Sequence, residues 1–399
     1  MLKVAREREL IRLCQEFVRL PSTSGNERQM AFFVRDTMLA MGFNRADVDP
    51  YGNVTGSVVL GEEGKCLLFE SQMDHVDVTD PFEWDLYPFG GFKKNGNIYG
   101  RGATDQKGSL AAMICAASFL GEDAPAECSG RIVVAATVHQ ERAEGASSRL
   151  VDINHRPDFV VSGEASALSI ERGQRGRAEI VIETLGKTAH SAQPDFGVNA
   201  AEHMVSLISF INKNFRPVSD PFLGEGILEL TNLVTSQEKT TGVIPARCRA
   251  LFDRRLILGE TRETVLGQIE EIIQLCASGL PGLRATARIC PAMERCYTGA
   301  RIEGEHFVPG WLLQRDHSFL LQCLEGLKSV GLEPRVADTA GFGTNGCYYG
   351  GVRGIPTIIF GPSFQELAHI TDEYIEVDQL LKGCMGYYGI ASAVLSSRK

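Results

Sequence analysis

The chain has 399 residues, 44% of them apolar, which is enough for two or three domains with real cores. Its 40 basic and 50 acidic residues give a net charge of -10 with no basic run, which excludes nucleic acid as the main partner because phosphate binding needs a basic surface. Eleven cysteines, an odd number without a Cys-x-x-Cys pair, predict reduced and mostly buried thiols rather than a disulfide framework or a zinc finger.

Residues 1–10 read as a charged amphipathic helix without a secretory core, and the longest apolar stretch, 110–120, is too short to span a bilayer. A cytoplasmic protein with no membrane partner is expected. Asn53-Val54-Thr55 matches a glycosylation acceptor, which carries no weight without secretion.

Apolar spacing predicts an opening helix over 4–20 that stops before Pro21. Ser24-Gly25-Asn26-Glu27 has the form of a capping box leading into a helix over 29–41, and 48–60 reads as a hairpin around Tyr51-Gly52-Asn53. The apolar run Cys66-Leu67-Leu68-Phe69-Glu70-Ser71-Gln72-Met73 is a strand that empties into Asp74-His75-Val76-Asp77. A glycine-rich segment, 99–108, carries Asp105 to the start of a helix over 109–120. Two further strands follow: 131–138 runs into His139-Gln140-Glu141, and 158–161 runs into Ser162-Gly163-Glu164. Alternating helix and strand predict a layered α/β domain, and such sheets place their sites at strand C-termini.

After Arg177 the pattern changes to strand 178–185, helix 198–215, strands 227–234 and 248–256, helix 261–275 and strand 283–289, a separate β-α-β-β-α-β unit. The first domain resumes with a helix over 318–330, a loop over 339–346 and a strand over 357–360. Glu366-Leu367-Ala368-His369 and a last helix over 378–395 close the chain.

Strand side chains alternate, so His75 and Asp77 are expected on one side, with Asp77 holding the second ring nitrogen of a metal-binding imidazole. A lone histidine at a strand end is more often a satisfied structural residue. Two features favour the ligand reading here: the glycines around Asp105, which permit the backbone of a crowded centre, and the other candidate ligands, which also fall at strand ends.

Taken together these motifs, with Gly173-Gln174-Arg175-Gly176-Arg177 and Thr344-Asn345-Gly346, resemble the dinuclear zinc amidohydrolases and metallopeptidases that include acetylornithine deacetylase, succinyl-diaminopimelate desuccinylase and the aminoacylases. Within that family the chain looks most similar to hydrolases linked to selenium metabolism and hydantoin utilisation. The resemblance implies a zinc-peptidase-like α/β/α catalytic domain formed by 1–177 and 297–399, and an inserted ferredoxin-like α+β lid or dimerisation domain over 178–296. It also implies that His75 and Glu164 bind one ion, that Glu141 and His369 bind the other, that Asp105 bridges them, and that Asp77 orients His75. His190 would reach across a homodimer to steady the oxyanion of the partner's site. Arg255 and Asn345 would hold a substrate carboxylate, although ion pairing of Arg254 or Arg255 with Asp253 is nearly as good an account of the arginines.

One position departs from the family pattern. Where two consecutive glutamates are expected, the general base and then a ligand, the chain has Gln140-Glu141, and an amide cannot take up and return a proton near neutral pH. Three accounts remain open. The favoured one is an exchange of glutamate for its near-isostere in an otherwise intact site, such as one made to trap substrate, since all five ligand positions stay filled. The others are natural loss that leaves a metal- and ligand-binding protein, and substitution of the base by Glu144 or His139.

The sequence thus predicts metal-dependent hydrolysis of an N-acyl or N-carbamoyl amino acid or small dipeptide carrying a carboxylate. Two divalent ions, zinc before manganese or cobalt, are expected to serve it. The alternative is a non-catalytic metal- and ligand-binding protein on the same fold; an aminopeptidase is disfavoured by Arg255.

Overall fold

The computed structural model describes residues 2–236, 242–337 and 343–396. Part of the predicted 339–346 loop, residues 339–342, lies outside them. The chain divides into two compact units: Met1–Gln174, Met293–Gly304 and Trp311–Lys399 make up one, and Arg175–Ala292 with Glu305–Gly310 the other.

The first unit is built on a six-stranded sheet whose strands are β1 (Arg45–Val48), β2 (Val54–Val59), β3 (Cys66–Gln72), β4 (Arg131–Thr137), β5 (Phe159–Ser162) and β6 (Thr357–Ile359), in spatial order β1-β2-β4-β3-β5-β6. β1, β2 and β4 are joined antiparallel, while β4, β3, β5 and β6 run parallel. Four strand C-termini therefore open on the same edge. Both faces of the sheet are covered, which is why β3 and β4 read as nearly continuous apolar runs. Leu67, Phe69, Ile132 and Val134 pack into the larger core, and Leu68, Val133 and Val160 pack with Val151 and Tyr349 on the other face.

Helices α1 (Val4–Val18), α2 (Arg28–Ala40), α3 (Gly108–Asp123), α4 (Ser148–His155), α5 (Ser318–Ser329) and α6 (Val377–Val394) complete the unit. α3 is buried on every side from Gly108 to Leu120, so it has no polar face to show. α5 and α6 meet at two facing glycines: a Cβ on Gly326 would lie 2.4 Å from Gly389 O, and one on Gly389 would lie 2.3 Å from Gly326 O. Alanine at either position forces the helices apart.

The hairpin forms, but β1 begins at Arg45, and Asp49 Oδ1 ties its turn by accepting from the N–H groups of Tyr51, Gly52 and Asn53. The capping box does not form. α2 starts at Arg28 with no side-chain cap, because Ser24 Oγ donates to Asp74 Oδ2 (2.6 Å) and Glu27 Oε1 accepts from the His139 N–H (3.3 Å). Tertiary partners have taken both members.

The second unit is the expected β-α-β-β-α-β order. Strands Ile227–Thr235, Arg247–Leu256, Gly176–Leu185 and Arg284–Ile289 lie side by side in that order, all antiparallel, with helices Ala200–Asn214 and Arg262–Gly279 over a core of Ile180, Ile182, Leu207, Phe252 and Ile269. Among the described residues no helix is long and apolar enough to cross a membrane.

Candidate metal centre

The four parallel strand ends deliver the polar residues of the first unit to one place. Along β3 and just past it, Glu70, Gln72 and Asp74 alternate onto one face, and all three are buried. Glu70 is satisfied by Thr137 Oγ1 (2.7 Å), Ser162 Oγ (3.1 Å) and Asn345 Nδ2 (2.7 Å), which explains a carboxylate in the middle of a core strand. Asp74 accepts from the backbone N–H groups of Gln140 and Glu141, both at 3.1 Å, and so fixes the turn after β4.

Asp105 is held from behind. Glu373, fully buried, pairs with Arg101 Nη1 at 2.7 Å, and its Oε1 accepts from the N–H groups of Thr104 (2.9 Å) and Asp105 (3.1 Å). Arg101 Nη2 also donates to the carbonyl of His369 (3.3 Å), so one ion pair positions two members of the centre. The His369 ring sits with Nε2 3.0 Å from Asp105 Oδ2 and 3.3 Å from Glu141 Oε1. Asp105, Glu141 and His369 each offer a ligand atom within 4.8 Å of the others, the one such group among the described residues.

The electrostatics are those of crowded carboxylates around one cation. Burial pushes Glu141 up to about 7 despite its bond to His369, with Asp105 and Asp74 adding to the rise. Hydrogen bonds to Asp105 and Glu141 hold His369 up at about 10 against the cost of burial. Burial first, and then Asp105, Glu70 and Glu141, keep Glu164 well above the carboxylate range, and its buried Oε2 has no hydrogen-bond partner. Two carboxylates and an imidazole fit a divalent ion.

A metal ligand must be the neutral ring, so an ion held by this triad would displace the His369 proton below about pH 10. Metal affinity is therefore expected to rise with pH, with proton release visible in calorimetry across buffers of different ionisation enthalpy. Uptake that is flat with pH and releases no proton would contradict the assignment.

The structure does not bring His75 to this centre. The ring is buried with Nε2 accepting from the Ser22 N–H (2.9 Å) and Nδ1–H donating to the Val76 carbonyl (2.8 Å), so neither nitrogen is left for a metal. Burial and the charges of Lys107 and Arg101 hold it neutral, down at about 3. Asp77 is exposed and accepts from the Val78 N–H (2.9 Å); with Nδ1 of His75 on Val76 it does not orient that ring. What faces Asp105 from the end of β3 is Gln72, whose Nε2 donates to Asp105 Oδ1 at 2.8 Å. The strand period through Glu70, Gln72 and Asp74 was the signal for it.

Gln140 lies beside the triad, its Oε1 accepting from Gln72 Nε2 (3.2 Å) and its Nε2 at 3.5 Å from the Gly343 carbonyl. Of the other candidate bases, Glu144 has a hydrogen-bond partner and His139 has only a carboxylate near it. Glu144 accepts from Gln174 Nε2 (3.0 Å), and His139 is buried with Nδ1 3.9 Å from Glu294. Asn345 is also committed, donating to Glu70 and to Thr137 Oγ1 (3.0 Å) and accepting from the Gly145 N–H (2.6 Å), so it braces the strand ends instead of meeting a substrate. In the second unit, Arg255 Nε donates to Asp253 Oδ1 (2.7 Å), the ion-pair alternative, and Arg254 is buried against Glu260. His190 is exposed, its Nδ1 accepting from the Ala192 N–H (3.0 Å).

A carboxylate and imidazole triad at the C-terminal ends of four parallel strands in a covered sheet defines a metallohydrolase type of α/β protein, and comparison with known proteins agrees. The family model described as Peptidase family M20/M25/M40 matches residues 68–393, and the chain belongs to that family. It is 31% identical to the uncharacterized protein YgeY of Escherichia coli (strain K12) over 92% of this chain and 89% of that one. A succinyl-diaminopimelate desuccinylase of Coxiella burnetii is 27% identical over 66% of this chain and 73% of its own length. Two solved structures share the fold. The M20 metallo-carboxypeptidase Sso-CP2 from Sulfolobus solfataricus has a TM-score of 0.74 at 18% identity, covering 97% of this chain and 99% of that one. The Bacillus subtilis protein YXEP, titled a dinuclear metal binding peptidase, has a TM-score of 0.73 at 16% identity, covering 98% and 99%. The chain is thus a hydrolase of the metallopeptidase and amidohydrolase class, whose chemistry is metal-dependent cleavage of amide bonds.

Proposed function

We propose that the chain acts on the amide bond of an N-acyl or N-carbamoyl amino acid or a small dipeptide, at a centre where Asp105, Glu141 and His369 hold the metal. The observation that carries this is the convergence of those three side chains within 4.8 Å. The desuccinylase and carboxypeptidase names of two similar proteins support the substrate class. Zinc suits the ligand set best, with manganese or cobalt as substitutes. A cytoplasmic homodimer, in which His190 of a second copy steadies the oxyanion, belongs to the same reading.

A bound divalent ion supplies polarisation of the amide carbonyl and acidification of a water. The remaining steps belong to the protein. Asp74 and Glu373 hold the ligand-bearing turns rigid through backbone N–H groups, so little reorganisation is needed when charge develops. Gln140 orients by hydrogen bonding but cannot accept the proton that hydrolysis releases. Turnover by this chain is therefore expected to be slow.

A second reading, a metal-dependent binder of the same ligands, is favoured by the bond between Gln72 and Gln140, which joins two amides where proton transfer needs a carboxylate. Hydrolysis of a panel of N-acyl, N-carbamoyl and dipeptide substrates, with zinc or manganese added, separates the two. The enzyme reading expects slow turnover that a chelator abolishes. No turnover by this chain or by its Gln140→Glu variant leaves the binder.

A further inference from the structure

The family resemblance calls for two ions, and among the described residues the side chains bring together one group of three ligands. Asp105 shows the division atom by atom. Its Oδ2 faces His369 Nε2 at 3.0 Å, within the triad, while its Oδ1 receives the Gln72 amide N–H at 2.8 Å. The nitrogen of Gln72, not its oxygen, faces Asp105. The acceptance by Gln140 Oε1 at 3.2 Å fixes the same orientation from a second direction. An N–H donor thus occupies the position on Oδ1 that a second cation needs. Among the described residues a further buried carboxylate under the influence of Asp105 is Glu164, 2% exposed with Oε2 unpartnered, and the imidazole expected with it, His75, has both nitrogens spent on Ser22 and Val76. Catalytic zinc is ordinarily held by about three protein ligands. The Glu164 side falls short of that count.

We propose that this chain binds one divalent ion, on Asp105, Glu141 and His369, and that the Gln72 amide replaces the second ion by a hydrogen bond to Asp105. The inference rests on the metal-centre reading above. It makes the centre mononuclear in a family with dinuclear members, and it assigns the difference to a residue on β3. Gln72 and Gln140 then act together. One amide closes the second metal position, and the other removes the base, each donating to or accepting from its neighbour.

The test is metal content per chain by native mass spectrometry and elemental analysis after zinc loading and dialysis, on the full chain and on three variants. The expected counts are one ion for the native protein, none for Glu141→Gln, one for Glu164→Gln, and two for Gln72→His. Manganese loading gives a second readout, since an isolated ion and a coupled pair differ in their electron paramagnetic resonance spectra. Two ions in the native chain would overturn the inference while leaving the metal centre standing. No ion would sink the metal-centre reading itself. Loss of the ion in Glu164→Gln would place it on the wrong side of Asp105, and a Gln72→His protein that folds but still holds one ion would remove Gln72 as the cause.

Discussion

Replacing Gln140 by glutamate is expected to raise amide hydrolysis by about 10²- to 10⁴-fold, the contribution a positioned general base makes. The side chain already stands beside the triad, within 3.2 Å of Gln72 Nε2, and a glutamate oxygen accepts that same hydrogen bond. The change therefore adds a proton acceptor and keeps the bond from Gln72, giving up only the long 3.5 Å approach of the Gln140 amide nitrogen to the Gly343 carbonyl. The variant gains in kcat, since the base acts on the chemical step and not on ground-state binding. A Gln140→Ala variant serves as control and gains nothing. An equal rate in all three proteins would remove position 140 from the proton transfer and return attention to Glu144 and His139.

The second large effect concerns stability. Arg101→Met is expected to cost about 3–5 kcal/mol, because it leaves the fully buried Glu373 carboxylate without its cation. The consequence reaches the centre: the carbonyl of His369 loses its donor, and the carboxylate that organises the N–H groups of Thr104 and Asp105 becomes free to move or to take up a proton. Urea denaturation followed by circular dichroism measures the loss. The double variant Arg101→Met with Glu373→Met recovers part of it, since no isolated charge remains. A shift below about 1 kcal/mol for the single variant, the size of a surface pair, would show that the pair is not buried as described.

The fold class and the family were legible because the strands of the first unit are buried on both faces and the second unit keeps its β-α-β-β-α-β order in a single run of sequence. The site was legible only in part, for identifiable reasons. β3 ends at Gln72, three residues before His75, and nothing in an apolar run marks where pairing stops. Counting alternation from the histidine instead of from the strand put the wrong pair in the site. Gln72 escaped because an amide is not among the usual zinc ligands, and Glu373 because it lies far along the chain from the Asp105 backbone it holds. Ser24 and Glu27 matched a capping pattern, but their partners, Asp74 and His139, come from other strand ends, and tertiary bonds overrode the local preference. Asn345 looked available for a substrate, whereas its bonds to Glu70, Thr137 and Gly145 leave it closing the core.

The central claim is that one ion sits among Asp105, Glu141 and His369 while an amide holds the other side of Asp105. Anomalous diffraction at the zinc edge from crystals of the zinc-loaded protein tests it most directly. The account predicts a single peak touching those three side chains, with the Gln72 amide nitrogen still on Asp105 Oδ1. Two peaks bridged by Asp105, or one peak on His75, would contradict it.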